Sequence, residues 1–170
     1  VGGAIPHQFI PAVEKGVRQV LVDGAIAGFP LQDLRVTVYD GKYHTVDSKE
    51  VAFVSAGKKA FLEAVRNAGP TVLEPIVKVE ITAPAQSMGD ITGDLATKRG
   101  RINGNDSLPG GRVTISAYVP LAELTDYQTR LKALTGGEGS YTLDLSHYDP
   151  VPPRTLQELQ AAWKPQAAED

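Results

Sequence analysis

Apolar residues recur at helical spacing near the start of the chain. Ile10, Val13, Val17, Val20 and Leu21 form one stripe, with Glu14, Lys15 and Arg18 opposite, and predict an amphipathic helix over about 11–21. Pro11 suits its first turn and Asp23-Gly24 its end. Residues 25–30 read as a loop. Leu34, Val36 and Val38 then alternate with Arg35, Thr37 and Tyr39, the period-2 pattern of a half-buried strand. Asp40-Gly41 is a two-residue hairpin signal, so Lys42, Tyr43 and His44 are expected to turn back from that strand. Asp47-Ser48-Lys49-Glu50 has the form of a capping box. The helix it predicts carries Phe53, Ala56, Gly57, Ala60, Phe61 and Ala64 on one narrow face and stops at Gly69-Pro70. Small residues on that face let a neighbouring element approach closely.

A different rhythm begins at Thr71. Pro75 cannot donate to a ladder, which predicts a short strand before it and a longer one from Ile76. Met88, Ile91 and Leu95 mark a short helix closed by Lys98-Arg99-Gly100. Residues 101–103 begin a strand, and 105–111 read as a turn. Val113, Ile115, Ala117 and Val119 alternate as a strand. Leu121, Leu124, Tyr127, Leu131 and Leu134 predict one helix, ended by Thr135-Gly136-Gly137, and Tyr141, Leu143 and Leu145 a last strand. From Ile76 the order strand–helix–strand–strand–helix–strand is the ferredoxin-like split βαβ: four antiparallel strands with two helices on one face. Beyond an extended Asp149–Pro153, Thr155 to Glu158 is a second capping box. Leu156, Leu159 and Trp163 share a face there, with Trp163 expected to dock the helix and 164–170 to fray.

The pattern therefore reads as α+β in three parts. Residues 1–73 form a partial βαβ-type domain with two helices, 74–153 a ferredoxin-like βαββαβ domain, and 154–170 a C-terminal helix and tail. In the first part both helices carry apolar stripes with too few strands to cover them, and the missing strands are expected upstream of Val1. The chain starts Val1-Gly2-Gly3, without methionine and without the basic-then-apolar pattern of a signal peptide, and so reads as an excised or processed piece.

Composition narrows the classes. In 170 residues, 42% hydrophobic and 22% charged exclude wholesale disorder. No apolar run approaches the ~18 residues of a membrane span. With no cysteine there is no disulfide, thiolate metal site or cysteine nucleophile. The net charge of −3 excludes a strongly basic nucleic-acid binder, though not a local basic patch. Residues 1–82 are neutral and 83–170 net acidic, so any contact with an anionic partner must come from patches.

Most candidate chemistry fails on spacing. Gly57-Lys58-Lys59 lacks the upstream glycine and following Ser/Thr of a phosphate loop and lies mid-helix, which leaves no nucleotide-hydrolysis site of that kind. Gly136-Gly137-Glu138-Gly139 follows a helix instead of opening one, and reads as a helix stop more readily than an anion cradle. His7, His44 and His147 have no metal-ligand spacing, nothing marks a serine nucleophile elbow, and Asn105-Asp106-Ser107 matches a sequon without a secretion signal. No catalytic, cofactor-binding or metal residue is therefore expected. Two features remain. Lys42, Tyr43 and His44 join a cation, an aromatic ring and an imidazole on an exposed turn, a combination suited to RNA contact and set against the plain reading of a solvated turn. Lys98, Arg99 and Arg101 cluster at a helix C-terminus, where dipole compensation is the plain reading.

Taken together, several segments resemble the C-terminal part of bacterial elongation factor G. They are Val1-Gly-Gly-Ala-Ile-Pro6 with Ile10-Pro-Ala-Val13; Asp40-Gly-Lys-Tyr-His-Thr-Val-Asp-Ser48; Leu73-Glu-Pro-Ile76; Gly89-Asp-Ile-Thr-Gly-Asp-Leu95 with Lys98-Arg-Gly100; Val119-Pro-Leu-Ala-Glu123; and Gly139-Ser-Tyr-Thr142. They run in the family's order up to about Pro152. The resemblance implies a translational GTPase in which GTP and magnesium belong to domains absent here. Residues 1–73 would be the second half of domain IV and 74–153 domain V. It implies a cytoplasmic factor whose partner is the ribosome, with no membrane and no DNA. Domain IV would reach the tRNA–mRNA pair at the decoding centre, His44 matching the tip-loop histidine. Domain V would contact large-subunit rRNA near the stalk base, with Lys98, Arg99 and Arg101 on its basic helix end and next strand. Asp47-Ser-Lys-Glu50 departs from the family's common Asp-Ser-Ser-Glu. A duplicated paralogue acting in ribosome recycling and a ribosomal protection protein share the architecture. A ferredoxin-like ligand-binding regulatory domain is the alternative of another class. An acylphosphatase is disfavoured because Ala83-Pro-Ala-Gln-Ser87, after the first strand, has no arginine.

Overall fold

The computed structural model describes residues 4–46 and 48–165. Its helices are α1 (Ile10–Asp23), α2 (Glu50–Asn67), α3 (Met88–Thr97), α4 (Tyr127–Leu134) and α5 (Pro153–Ala162); its strands are β1 (Leu73–Pro84), β2 (Arg101–Leu108), β3 (Arg112–Pro120) and β4 (Ser140–Pro150). The chain divides into two compact units, one of residues 73–151 and one of the remainder, which takes in both ends of the chain.

The 73–151 unit is a four-stranded antiparallel sheet of order β2-β3-β1-β4 with two helices, the ferredoxin-like topology expected from the alternation. Val77, Val79, Ile81 and Ala83 of β1 and Val113, Ile115, Ala117 and Val119 of β3 form one face of the two central strands. With Ile91 and Leu95 of α3 and Tyr127 and Leu131 of α4 they make a fully buried core. That burial is the main stabilising term of the unit.

Three expectations in this unit are corrected. Pro75 does not divide the strand: β1 runs through it, because pairing with β3 begins only at Ile76 and the missing N–H lies where one neighbour is absent. Residues 105–108 are strand, not turn, and the turn is confined to Pro109-Gly110-Gly111, with both glycines at positive φ. The polar composition of β2 misled because it is an edge strand, exposed along nearly its whole length. The helix expected over 121–134 is broken: Leu121–Leu124 is a single 3-10 turn, Asp126 adopts φ +57°, and α4 starts only at Tyr127.

In the other unit α1 and α2 pack face to face. Gly16 and Gly57 mark the closest approach. A Cβ on Gly57 would lie 2.7 Å from the Val13 carbonyl oxygen, and one on Gly16 would overlap the Val54 carbonyl. Phe9 stacks on Phe53 with ring centroids 4.3 Å apart. Val17, Val20, Ala25 and Phe61 form one small core, and Ala12, Val13 and Phe53 another. Gly24, at φ +83°, stops α1 as expected. Trp163 ends α5 and lies against Gly28.

Here too the structure departs from the pattern. Residues 34–40 belong to no strand or helix, and Leu34, Val36 and Val38 are 43–50% exposed. A strand needs a pairing partner, and none exists for this segment among the described residues. It instead lines a groove of about 380 Å³ whose far side is Val13, Val17, Phe53 and Phe61. Asp40-Gly41 makes no hairpin: Gly41 is absent from the positive-φ residues, and a Cβ there would collide with Ile5. The turn falls at Thr45-Val46. Asp47, the expected capping residue, lies outside the described residues, and Lys49 precedes α2 with no side-chain cap. Thr155 does not cap α5 either. Pro152 holds the cap position without a side-chain bond, and Pro153 occupies the first turn. Residues 166–170, expected to fray, are outside the described part.

Candidate RNA-contact surfaces

Lys42, Tyr43 and His44 lie in the irregular segment before the 45–46 turn, all exposed. The His44 backbone has a side-chain partner. The His44 N–H donates to Ser48 Oγ at 3.0 Å, and the Ser48 hydroxyl donates back to the His44 carbonyl. This reciprocal pair fixes the loop with a side chain, as such residues do where no ladder is available. Upstream, the Gly41 N–H donates to Asp40 Oδ1 at 2.8 Å. The His44 backbone is thus tied to Ser48 through both its N–H and its carbonyl, and the three side chains beside it are exposed.

The second cluster is arranged differently. Arg99, at φ +57°, closes α3. Its Nη1 donates to Glu74 Oε1 at 2.6 Å and its Nη2 to Glu74 Oε2 at 3.0 Å, while Nε donates to Glu123 Oε1 at 3.1 Å. The fork-on-fork bond to Glu74 raises the guanidinium's proton affinity further, burial opposes it, and Glu123 adds to it. Arg99 therefore ties the α3–β2 turn to the start of β1 and to the 121–124 turn. Lys98 Nζ sits 3.4 Å from the buried Asp94 carboxylate, which also accepts from Arg130 Nε at 2.8 Å. Arg101, on the edge strand, lies over the Tyr118 ring, 5.9 Å from its centroid. Sequence spacing showed three neighbouring cations. It did not show that Arg99 already faces two carboxylates, because Glu74 and Glu123 come from separate elements; the four-residue step from Asp94 to Lys98 was the one pairing that spacing offered.

The Gly136–Gly139 segment is a helix stop. The Gly137 N–H donates to the Lys132 carbonyl at 2.8 Å and the Gly139 N–H to Thr135 Oγ1 at 2.7 Å, leaving these donors occupied. His147 on β4 is oriented by Ser146 Oγ at 2.8 Å and Asp149 Oδ2 at 3.0 Å. Sequence reasoning weighed His147 as a metal ligand and set it aside, without reading it together with Ser146 and Asp149, whose only signal was Ser-His-x-Asp along one strand. Among the described residues no cluster of three His, Asp or Glu side chains is placed to hold a metal ion, and no helix is long and apolar enough to cross a membrane.

Comparison with known proteins covers both units. Residues 1–69 match the family model described as elongation factor G, domain IV, and residues 71–159 the model described as elongation factor G C-terminus. A crystal structure of a Thermus thermophilus protein matches with TM-score 0.73 and 42% identity over 94% of this chain. The match covers 24% of that protein, so this chain spans about a quarter of its length. With two family models matching in order and together reaching from Val1 to Leu159, the chain belongs to the elongation factor G family, of which it carries domain IV and C-terminal domain sequence.

Proposed function

We propose that the chain supplies the ribosome-binding C-terminal domains of a translational GTPase that promotes tRNA–mRNA translocation. Lys42, Tyr43 and His44 are its contacts at the decoding centre, and the 73–151 unit meets large-subunit rRNA. The observation that carries this reading is the braced loop: a cation, a phenol ring and an imidazole exposed side by side on backbone pinned by Ser48. Such a loop loses little conformational freedom on binding, and its side chains can stack on or hydrogen-bond to splayed RNA. In the 73–151 unit, Lys98 and Arg101 are the phosphate contacts. Each keeps donors beyond its present partner, whereas Arg99 acts by holding the turn that carries them. GTP and magnesium belong to other domains of the parent protein.

The test is His44→Ala in the full-length factor. Translocation in a single turnover is expected to slow at least tenfold while ribosome-stimulated GTP hydrolysis stays within about twofold, since the substitution removes a contact and leaves the fold intact. An unchanged translocation rate would show His44 to be an ordinary solvated side chain.

A further inference from the structure

A second cluster of cations lies in the helical unit and uses none of residues 42–44. Lys58, Leu62 and Arg66 recur at four-residue steps along α2 and so share one face. They line a cavity of about 570 Å³, within the usual size range of ligand sites, together with Asp23, Trp163 and Lys164. The indole is fixed by close approach. Gly28, at φ +79°, has no Cβ, and one built there would stand 2.8 Å from the ring's Cδ1 and Nε1. Lys58 is held at its base, where a Cβ on Gly16 would come within 2.9 Å of its backbone nitrogen. Among the described residues, Lys58, Arg66 and Lys164 belong to no ion pair, unlike Lys98 and Arg99. Among the described residues that line the cavity there are three cations and one carboxylate, Asp23, beside an aromatic and aliphatic bed.

We infer that this cavity binds single-stranded RNA, with successive phosphates on Lys58 and Arg66 and one base against Trp163. Charge selects an anion, and the indole and Leu62 select one with a flat apolar part. Spacing suits a strand: eight helical residues set the backbones of Lys58 and Arg66 about 12 Å apart, so each long side chain can take a phosphate of its own. Lys164 closes the site from the C-terminal segment. The inference rests on reading this chain as RNA-binding, but on different residues.

The chain has a single tryptophan, so its fluorescence reports the site directly. Titration with hexa-adenylate is expected to give a saturable change that weakens with added salt. Inorganic phosphate, adenosine and ATP are expected to bind at least tenfold more weakly. Lys58→Ala with Arg66→Ala is expected to weaken hexa-adenylate at least tenfold. Lys164→Ala, outside the α1–α2 contact and so harmless to folding, is expected to weaken it about threefold. No saturable response, or full affinity in both cation variants, overturns the site. ATP binding as tightly as the hexamer assigns the cavity to a free nucleotide and overturns the strand. A normal hexamer response alongside a silent His44→Ala factor removes the decoding-centre reading alone.

Discussion

Two residues in the 73–151 unit carry stability and report on it separately. The Tyr127 side chain is fully buried, meets Tyr141 edge-on at 5.2 Å, and its hydroxyl has no hydrogen-bond partner. Burial, then the nearby Asp94 charge, push its ionisation above the ordinary value of 10.0. A group whose folded-state pKa is raised contributes stability that is complete below its unfolded pKa and is lost as pH climbs past it. The unit is therefore expected to lose stability above about pH 10, and Tyr127→Phe to flatten that loss in melting curves while costing less than about 1 kcal/mol at pH 7, because no bond is broken. A Tyr127→Phe protein with the same alkaline decline would exclude this origin. Arg99 behaves oppositely. Arg99→Ala leaves the buried Glu74 carboxylate unpaired and is expected to cost about 2 kcal/mol, a value kept modest because the guanidinium is 37% exposed. Urea denaturation of the two variants distinguishes them, since Arg99→Ala should shift the midpoint at neutral pH by clearly more than Tyr127→Phe.

Helices were more legible than strands. The stripes over α1 and α2 and their stops at Gly24 and Gly69 follow from spacing and backbone freedom alone. Strands failed wherever a neighbour decides. Leu34–Tyr39 alternates but has nothing to pair with among the described residues, while the polar 105–108 segment is strand because β3 lies beside it. The small-residue face of α2 did foretell close approach, and the contact can be measured. Gly16→Ala drives a methyl into the backbone of α2, which no rotamer change relieves. Overpacking of about 1–3 kcal/mol should outweigh the ~1 kcal/mol that alanine gains in a helix. Gly93→Ala in α3, with nothing within 4 Å of the added carbon, should instead stabilise by up to about 1 kcal/mol. Thermal melts in which both changes act in the same direction would contradict this helix contact.

The two units have unequal cores. In the 73–151 unit the central strands and both helices share one contiguous, fully buried cluster, whereas the helical unit has two small clusters and a groove flanked by half-exposed apolar residues. Amides of β1 and β3 are expected to exchange slowest and those of α1 and α2 earlier, and equal protection by hydrogen exchange would mean that the groove is covered in solution. At this scale the division of labour between sequence and structure is clear. Periodicity, glycine stops and segment order determined α1, α2 and α3, the βαββαβ order and the family resemblance, because each depends on residues close together in the chain. Register, edge exposure and the pairing of Arg99 with Glu74 and Glu123 were decided only in three dimensions. The candidate site divided the same way. The Lys42–Tyr43–His44 trio is contiguous and visible in one line of sequence. Which cations are free and which are matched depends on carboxylates 24 to 25 residues from Arg99, and sequence spacing cannot encode that distance in space.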